Sequence, residues 1–381
     1  MSRALQLIVV VFLIVMSFMV FPRGALTFPP NCGWINSGST SIWAVCAPTT
    51  APWNGDLVVY AHGYVAPEEP LQIPEDELFL PDGTYIPDLV NSMGYYFATP
   101  SYPKNGLAVK EGLWDIAALV NALKNQLSLN HVYLVGASEG GLITTLAVEK
   151  YPDLFSGGLA LCGPIGDFRG QVDYWGDFRV VFDYFFPEVL PPSPVTIPSV
   201  VIENWGNQYA PAIIQAIALE PHATEQLLSV TQASVDPSDS ASISETVLGV
   251  LWYNVFATNE AIIELNGQPF DNRKRRYLGS DDDKALKKGV ERFKADRSAL
   301  AGIATYYQTS GLLTKPLVTL HNTADPIVPY WHEDLYGTKV LTSGSSPLYA
   351  HIPIPRYGHC NFTVSEVLAG FGLLVTKVAG P

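Results

Sequence analysis

The stretch His131-Val132-Tyr133-Leu134-Val135-Gly136-Ala137-Ser138-Glu139-Gly140-Gly141-Leu142-Ile143 constrains this chain more than any other. A short apolar, β-branched run leads directly into Gly-x-Ser-x-Gly, and a helical pattern follows at once. Strand, sharp turn and helix is the context in which this pattern carries a mechanism. The serine at the tip must adopt a strained backbone conformation so that its hydroxyl projects above the sheet. Gly136 and Gly140 fall where a side chain would collide with the neighbouring strand or helix, and Gly141 gives the helix room to pack closely. A serine among glycines also occurs in ordinary loops. The flanking strand and helix are what make Ser138 a candidate nucleophile.

With 381 residues, the chain is long enough for one large domain carrying an insertion, or for two domains. Hydrophobic residues at 48% and aromatic residues at 12% fit a well-packed protein. The formal net charge of −14 argues against nucleic acid or an anionic membrane surface as the main partner. Near the N-terminus, Arg3 precedes an apolar run from Leu7 to Phe21, interrupted only by Ser17. That length suits the core of a secretory signal and is short for a spanning helix, so the chain is expected to be exported. Residues 1–25 are read as a signal peptide or an N-terminal anchor. Gly24-Ala25 is a poor cleavage site with Arg23 before it, so a membrane tether stays open. Four cysteines agree with export: Cys32 and Cys46 could staple a hairpin, and Cys162 and Cys360 fall at loops where a second bridge is possible. For Cys162, on an apolar strand, a buried free thiol is the competing reading. No Cys-x-x-Cys or His-rich cluster points to a metal site.

In chain order, strands are expected over Ser41–Cys46, Asp56–Ala61, Tyr95–Thr99, His131–Ala137 and Gly157–Cys162. The opening segment is given only one strand. Residues 65–94, rich in Pro, Glu and Asp, read as an exposed excursion with a helix over Asp88–Met93. Leu113, Ile116, Val120, Leu123 and Leu127 recur at helical spacing before the Ser138 strand. From Gly166 to Leu313 the alternation stops. An aromatic stretch, Phe168–Phe186, leads into a Pro-rich segment and helices around 199–219, 222–231, 240–256 and 284–308. Strand patterning resumes at Pro316–Leu320, followed by His321-Asn322-Thr323-Ala324-Asp325-Pro326-Ile327-Val328-Pro329. A last strand is read over Leu348–Pro353, then Tyr357-Gly358-His359-Cys360 and a terminal helix.

The Gly-x-Ser-x-Gly turn, the His62-Gly63-Tyr64 loop after an early strand and the Asp325 loop resemble those of the α/β-hydrolase superfamily. This resemblance implies a mostly parallel sheet flanked by helices, with a mainly helical cap between the sixth and seventh core strands. The first part of the core would span 26–164, the cap 165–314 and the second part of the core 315–381. It further implies that Ser138, Asp325 and His359 act together, in the chain order the superfamily uses. The backbone N–H groups of Tyr64 and Glu139 would then donate to a developing oxyanion. A haloalkane dehalogenase or epoxide hydrolase is disfavoured, because those carry Asp at the position of Ser138.

A serine hydroxyl is a poor nucleophile at neutral pH and needs a base in hydrogen-bond reach, itself oriented by a carboxylate. His332 and His351 compete with His359 as base, and Asp167 competes with Asp325 as acid. His62 is read as structural, and the Glu139 side chain as a partner for a cap residue. Asn361-Phe362-Thr363 is taken as a chance match to a glycosylation acceptor. The expected reaction is hydrolysis of a small ester through an acyl-enzyme, with no cofactor. A serine peptidase similar to the prolyl oligopeptidase group, acting on short peptides, is the alternative. A non-catalytic binding protein on a hydrolase scaffold is the reading from another class.

Overall fold

The computed structural model describes residues 30–36, 40–192 and 194–380, so the N-terminal segment expected to be a signal or anchor lies outside the described residues. Eight strands form one sheet: β1 (Cys32–Asn36), β2 (Ile42–Cys46), β3 (Leu57–Ala61), β4 (Tyr96–Pro100), β5 (Val132–Ala137), β6 (Gly157–Leu161), β7 (Leu317–Ala324) and β8 (Tyr349–Tyr357). Their spatial order is β1-β2-β4-β3-β5-β6-β7-β8. β1 and β2 pair antiparallel with each other, and β2 with β4. Every later pair is parallel. Parallel strands need long crossovers, and helices supply them: α1 (Ile86–Ser92), α2 (Val109–Lys124) and α3 (Glu139–Lys150) between the early strands, and α12 (Val364–Ala379) after the last.

Alternation along the strands assigns the faces. Leu57, Val59 and Ala61 of β3 join the cluster containing Leu113, Ile116 and Val120 of α2 and Leu142, Ile143 and Leu146 of α3. Val58 and Tyr60, pointing the other way, join Val90 of α1 and Phe371 and Leu374 of α12. Strands covered on both faces read as nearly continuous apolar runs, which is why β3 and β6 are wholly buried.

Between β6 and β7 lies the cap: α4 (Phe168–Phe185), α5 (Ser199–Glu203), a π-helical turn (Trp205–Tyr209), α6 (Ala210–Leu219), α7 (Pro221–Thr231), α8 (Ala241–Glu264), α9 (Asp283–Gly289) and α10 (Arg297–Tyr306). Its rings are mostly its own core: Phe178, Phe182 and Phe186 pack with Trp205, Val247 and Leu251, and the cluster extends to Ile327 and Val328 beyond β7. The cap is also tied down by charge. Lys104 pairs with Glu260 and Glu264 of α8, Lys110 lies 2.5 Å from Glu264, and Glu260 accepts from the Leu107 N–H at 2.7 Å. One helix, α11 (Trp331–Thr342), follows β7.

Three readings of the sequence are corrected. The opening segment holds two strands, because Cys32 and Cys46 face each other in register and form a disulfide. Residues 65–94 are not simply an exposed excursion: Ile73 and Leu78 are fully buried, and Glu77 sits in a short 3-10 turn, Glu75–Leu78, aimed inward. The helix expected over 284–308 is broken into α9 and α10 by an extended stretch at 290–296.

Candidate active site

Ser138 closes β5 and caps α3 with φ 55° and ψ −120°, a strained conformation held by the packing around it. Gly140 allows this, since a Cβ there would run into the Ala61 carbonyl of β3. The loops after β7 and β8 converge on the same sheet edge. The Ser138 hydroxyl donates to His359 Nε2 at 2.8 Å, and His359 Nδ1 donates to Asp325 Oδ2 at 2.7 Å. The structure therefore brings Ser138, His359 and Asp325 into one hydrogen-bonded line. The next residue after His359, Cys360, forms a disulfide with Cys162 at the end of β6, so Cys162 is not a free thiol.

Asp325 is fixed from behind. Its Oδ1 accepts from the Ile327 and Val328 N–H groups at 2.8 and 3.0 Å. Burial pushes its carboxyl up, but the neighbouring imidazoles of His359 and His321 and their hydrogen bonds outweigh this and hold it at about 2. His321, fully buried on β7, has an acceptor at each ring nitrogen: the Val328 carbonyl at 2.8 Å and Glu333 at 3.2 Å. Two acceptors require two N–H donors, so the ring is an imidazolium. Burial opposes that charge, yet Asp325 and Glu333 raise His321 to about 10. Glu333 goes on to accept from Thr319 at 2.7 Å and Tyr349 at 2.9 Å, and pairs with His351 at 3.1 Å.

The competing residues lie elsewhere. His332 is buried in the base of the cap, where Nδ1 accepts from the Gly166 and Asp167 N–H groups and Nε2 donates to Gln171. His351 bonds Tyr330 and faces Glu333. Asp167 precedes α4 and accepts from Gln308. None of the three hydrogen-bonds to Ser138 or to His359.

On the other side of Ser138, His62 donates from Nδ1 to the Gly63 carbonyl at 2.8 Å and stacks on Tyr102. Burial lowers it to about 4, which keeps the ring neutral and in a structural place. Among the described residues, neither the Tyr64 nor the Glu139 N–H has an intramolecular acceptor. The Glu139 side chain does not pair with the cap; it accepts from the Ala108 N–H at 2.8 Å, just ahead of α2. The Tyr64 hydroxyl donates to the Phe256 carbonyl of α8 at 3.0 Å, joining this loop to the cap.

Two residues escaped the sequence reading. Glu77 accepts from the Gly63 N–H at 2.6 Å, and burial raises its carboxyl to about 7. A Cβ on Gly63 would press on both Glu77 oxygens and on Ser138. Tyr253 of α8 lines the space over Ser138, and burial, then Glu77 and Asp325, raise its hydroxyl. Neither lies in a motif. Only the acidic density around 75–77 and the aromatic run of α8 mark them.

Two cavities meet at Ser138, sharing Tyr64 and Tyr253 between them. The larger, about 340 Å³, lies between the sheet face and helices α1 and α12. The smaller, about 70 Å³, lies under the cap against α4 and α8. Among the described residues, Cys162, His359 and Cys360 are the one group spaced as metal ligands, but both cysteines are consumed by the disulfide.

The strand order, the serine at the end of β5 and the insertion after β6 define the α/β-hydrolase fold. The chain has this fold, and the family model described as alpha/beta hydrolase fold matches residues 69–191, which include Ser138 but neither Asp325 nor His359. Among solved structures, Est1E from Butyrivibrio proteoclasticus is similar at 16% identity and a TM-score of 0.40, covering 92% of this chain and 99% of its own. Brefeldin A esterase, a bacterial homologue of human hormone-sensitive lipase, is similar at 15% identity and a TM-score of 0.47, covering 98% and 84%. Acylaminoacyl peptidase from Pyrococcus horikoshii is similar at 13% identity and a TM-score of 0.45, covering 93% of this chain but 42% of that longer one. A sequence comparison with curated proteins finds no match.

Proposed function

We propose that this protein is a serine hydrolase that cleaves carboxylic esters through an acyl-enzyme. The observation that carries the reading is the unbroken line from Asp325 through His359 to Ser138, at 2.7 and 2.8 Å, opening onto an apolar cavity. Ser138 Oγ attacks the carbonyl carbon as its proton passes to His359 Nε2. Asp325 holds the imidazole by Nδ1 and stabilises the imidazolium that forms. The unpaired N–H groups of Tyr64 and Glu139 receive the developing oxyanion. His359 then returns the proton to the departing alcohol, and water resolves the acyl-enzyme by the same route.

Ester chemistry is favoured over peptide chemistry by the apolar lining. A peptidase reading draws on the two carboxyl groups flanking Ser138, the half-buried Glu77 and the buried Glu139, which would suit a substrate ammonium. Each already accepts from a backbone N–H. Two disulfides support an oxidising compartment and hence export. No helix among the described residues is long and apolar enough to cross a membrane.

The test is fluorophosphonate labelling of the wild type and Ser138→Ala, beside panels of p-nitrophenyl esters and aminoacyl anilides. Labelling that depends on Ser138 together with dominant ester turnover is the expected result. Dominant anilide turnover moves the assignment to the peptidase. Absence of labelling in folded wild type overturns the catalytic reading.

A further inference from the structure

Apart from Tyr253 of α8, the larger cavity at Ser138 is lined by the core and not by the cap. Its floor is one face of the central sheet, built from Val58 and Tyr60 of β3, Val135 and Ala137 of β5 and Leu159 and Leu161 of β6. Its walls come from α1 and α12, and the segment around Glu77–Pro81 covers it. Such a sheet face is ordinarily filled by the helices packed on it, since interiors close to crystal-like density. Here about 340 Å³ stays open, within the ~300–1,000 Å³ range of ligand pockets. At its outer rim stand Phe79 and Met93, large apolar side chains 44% and 36% exposed.

We infer that this channel receives the acyl chain of the substrate, and that the substrate is an ester of a medium-chain aliphatic acid. The inference rests on the ester reading above and specifies it. Three features carry it. The channel starts at Ser138 and His359, so a group covalently bound to Ser138 Oγ extends directly into it. Beyond Glu77, the side chains that line it are almost all aliphatic or phenyl groups. Glu77, the one acidic side chain in the lining, already accepts from the Gly63 N–H through Oε2. The small space under the cap is then left for the alcohol.

The depth sets the length. Val135 of the floor lies three residue steps from Ser138, about 10 Å, and Val58, opposite Tyr133, lies two steps further, about 16 Å. An extended chain advances about 1.3 Å per 1.52 Å carbon–carbon bond, so about eight to twelve carbons fit.

The test uses two half-buried wall residues, Leu89 of α1 and Leu368 of α12, replaced singly as Leu89→Trp and Leu368→Trp. With p-nitrophenyl esters of rising acyl length, the wild type is expected to peak between about eight and twelve carbons. In either variant the octanoate-to-acetate ratio of kcat/KM should fall about tenfold or more. A parallel series holds the acetyl group fixed and lengthens an alkyl alcohol, where the ratio should be insensitive to both variants. A flat acyl-length profile, or a response confined to the alcohol series, overturns the assignment.

Binding is read separately in Ser138→Ala, by displacement of a fluorescent fatty acid with octanoate. Saturable binding, weakened about tenfold by adding Leu368→Trp, supports the channel even if no ester is turned over; that pair of results removes only the esterase reading. Ester turnover without saturable octanoate binding removes the channel and leaves the esterase. Two variants on different helices protect the test against one that fails to fold.

Discussion

Ser138 holds a conformation that costs a non-glycine residue on the order of 1–3 kcal/mol. Ser138→Gly is therefore expected to raise unfolding stability by about 1 kcal/mol while abolishing fluorophosphonate labelling; chemical denaturation and gel labelling read the two effects. Asp325→Asn should lower kcat about 10⁴-fold with little change in KM, since the amide leaves His359 with the wrong partner. His321 supplies a pH signature. Its folded pKa of about 10 lies above the ordinary 6.5, so its contribution to stability is fully present below pH 6.5 and is lost as pH rises through about 10. Urea midpoints across that window should fall in the wild type and fall less in His321→Gln. Glu77 acts in the opposite sense to a salt-bridged acid. Its folded value of about 7 exceeds the ordinary 4.5, so stability declines as pH rises from 4.5 to 7, by roughly 3 kcal/mol in all. Glu77→Gln should remove that decline and melt higher at pH 8, because the amide oxygen can still accept from Gly63. At this scale Ser138, Asp325 and His359 were legible because each is punctuated locally by glycine or proline. Glu77, Tyr253 and His321 owe their places to packing between segments far apart in the chain, which no local pattern records.

Among the elements, the loops that follow β6 and β8 share one covalent link. Cys162 and Cys360 each sit at positive φ, 198 residues apart in sequence, and the bridge fixes the residue adjacent to His359. Replacing both with serine should cost about 2–5 kcal/mol of stability and lower kcat more than it raises KM, as His359 loses its fixed placement. Steady-state kinetics after gentle reduction, with the Cys32–Cys46 pair as the variant control, separates this bridge from the distant one. The strands of the parallel sheet were readable as short apolar runs, because burial on both faces leaves few polar positions in them. β1 was missed because its identity depends on pairing with β2 and not on its own composition. The segment 65–94 misled for the converse reason: its acidic residues mark it as surface, yet Glu77 is satisfied by Gly63 and turned inward.

For the whole molecule, the fold class followed from one turn and the order of parts around it, whereas the cap did not. Its amphipathic pattern foretold helices but not which of them would meet Ser138, since α8 reaches the site by packing on α4 and docking on the core through Phe256, Glu260 and Glu264. Strands β6 and β7 are immediate neighbours, so the two ends of the cap leave and re-enter the sheet side by side. All that the cap brings to Ser138 therefore comes from one continuous stretch of the sequence, while the channel walls come from α1 and α12, which lie on either side of that stretch. Inheritance can then act on the two sides of a substrate separately. On the proposed reading, an exchange of the central stretch would chiefly revise what leaves Ser138, reaching what stays attached to it only through Tyr253, and point changes in the outer segments would do the reverse.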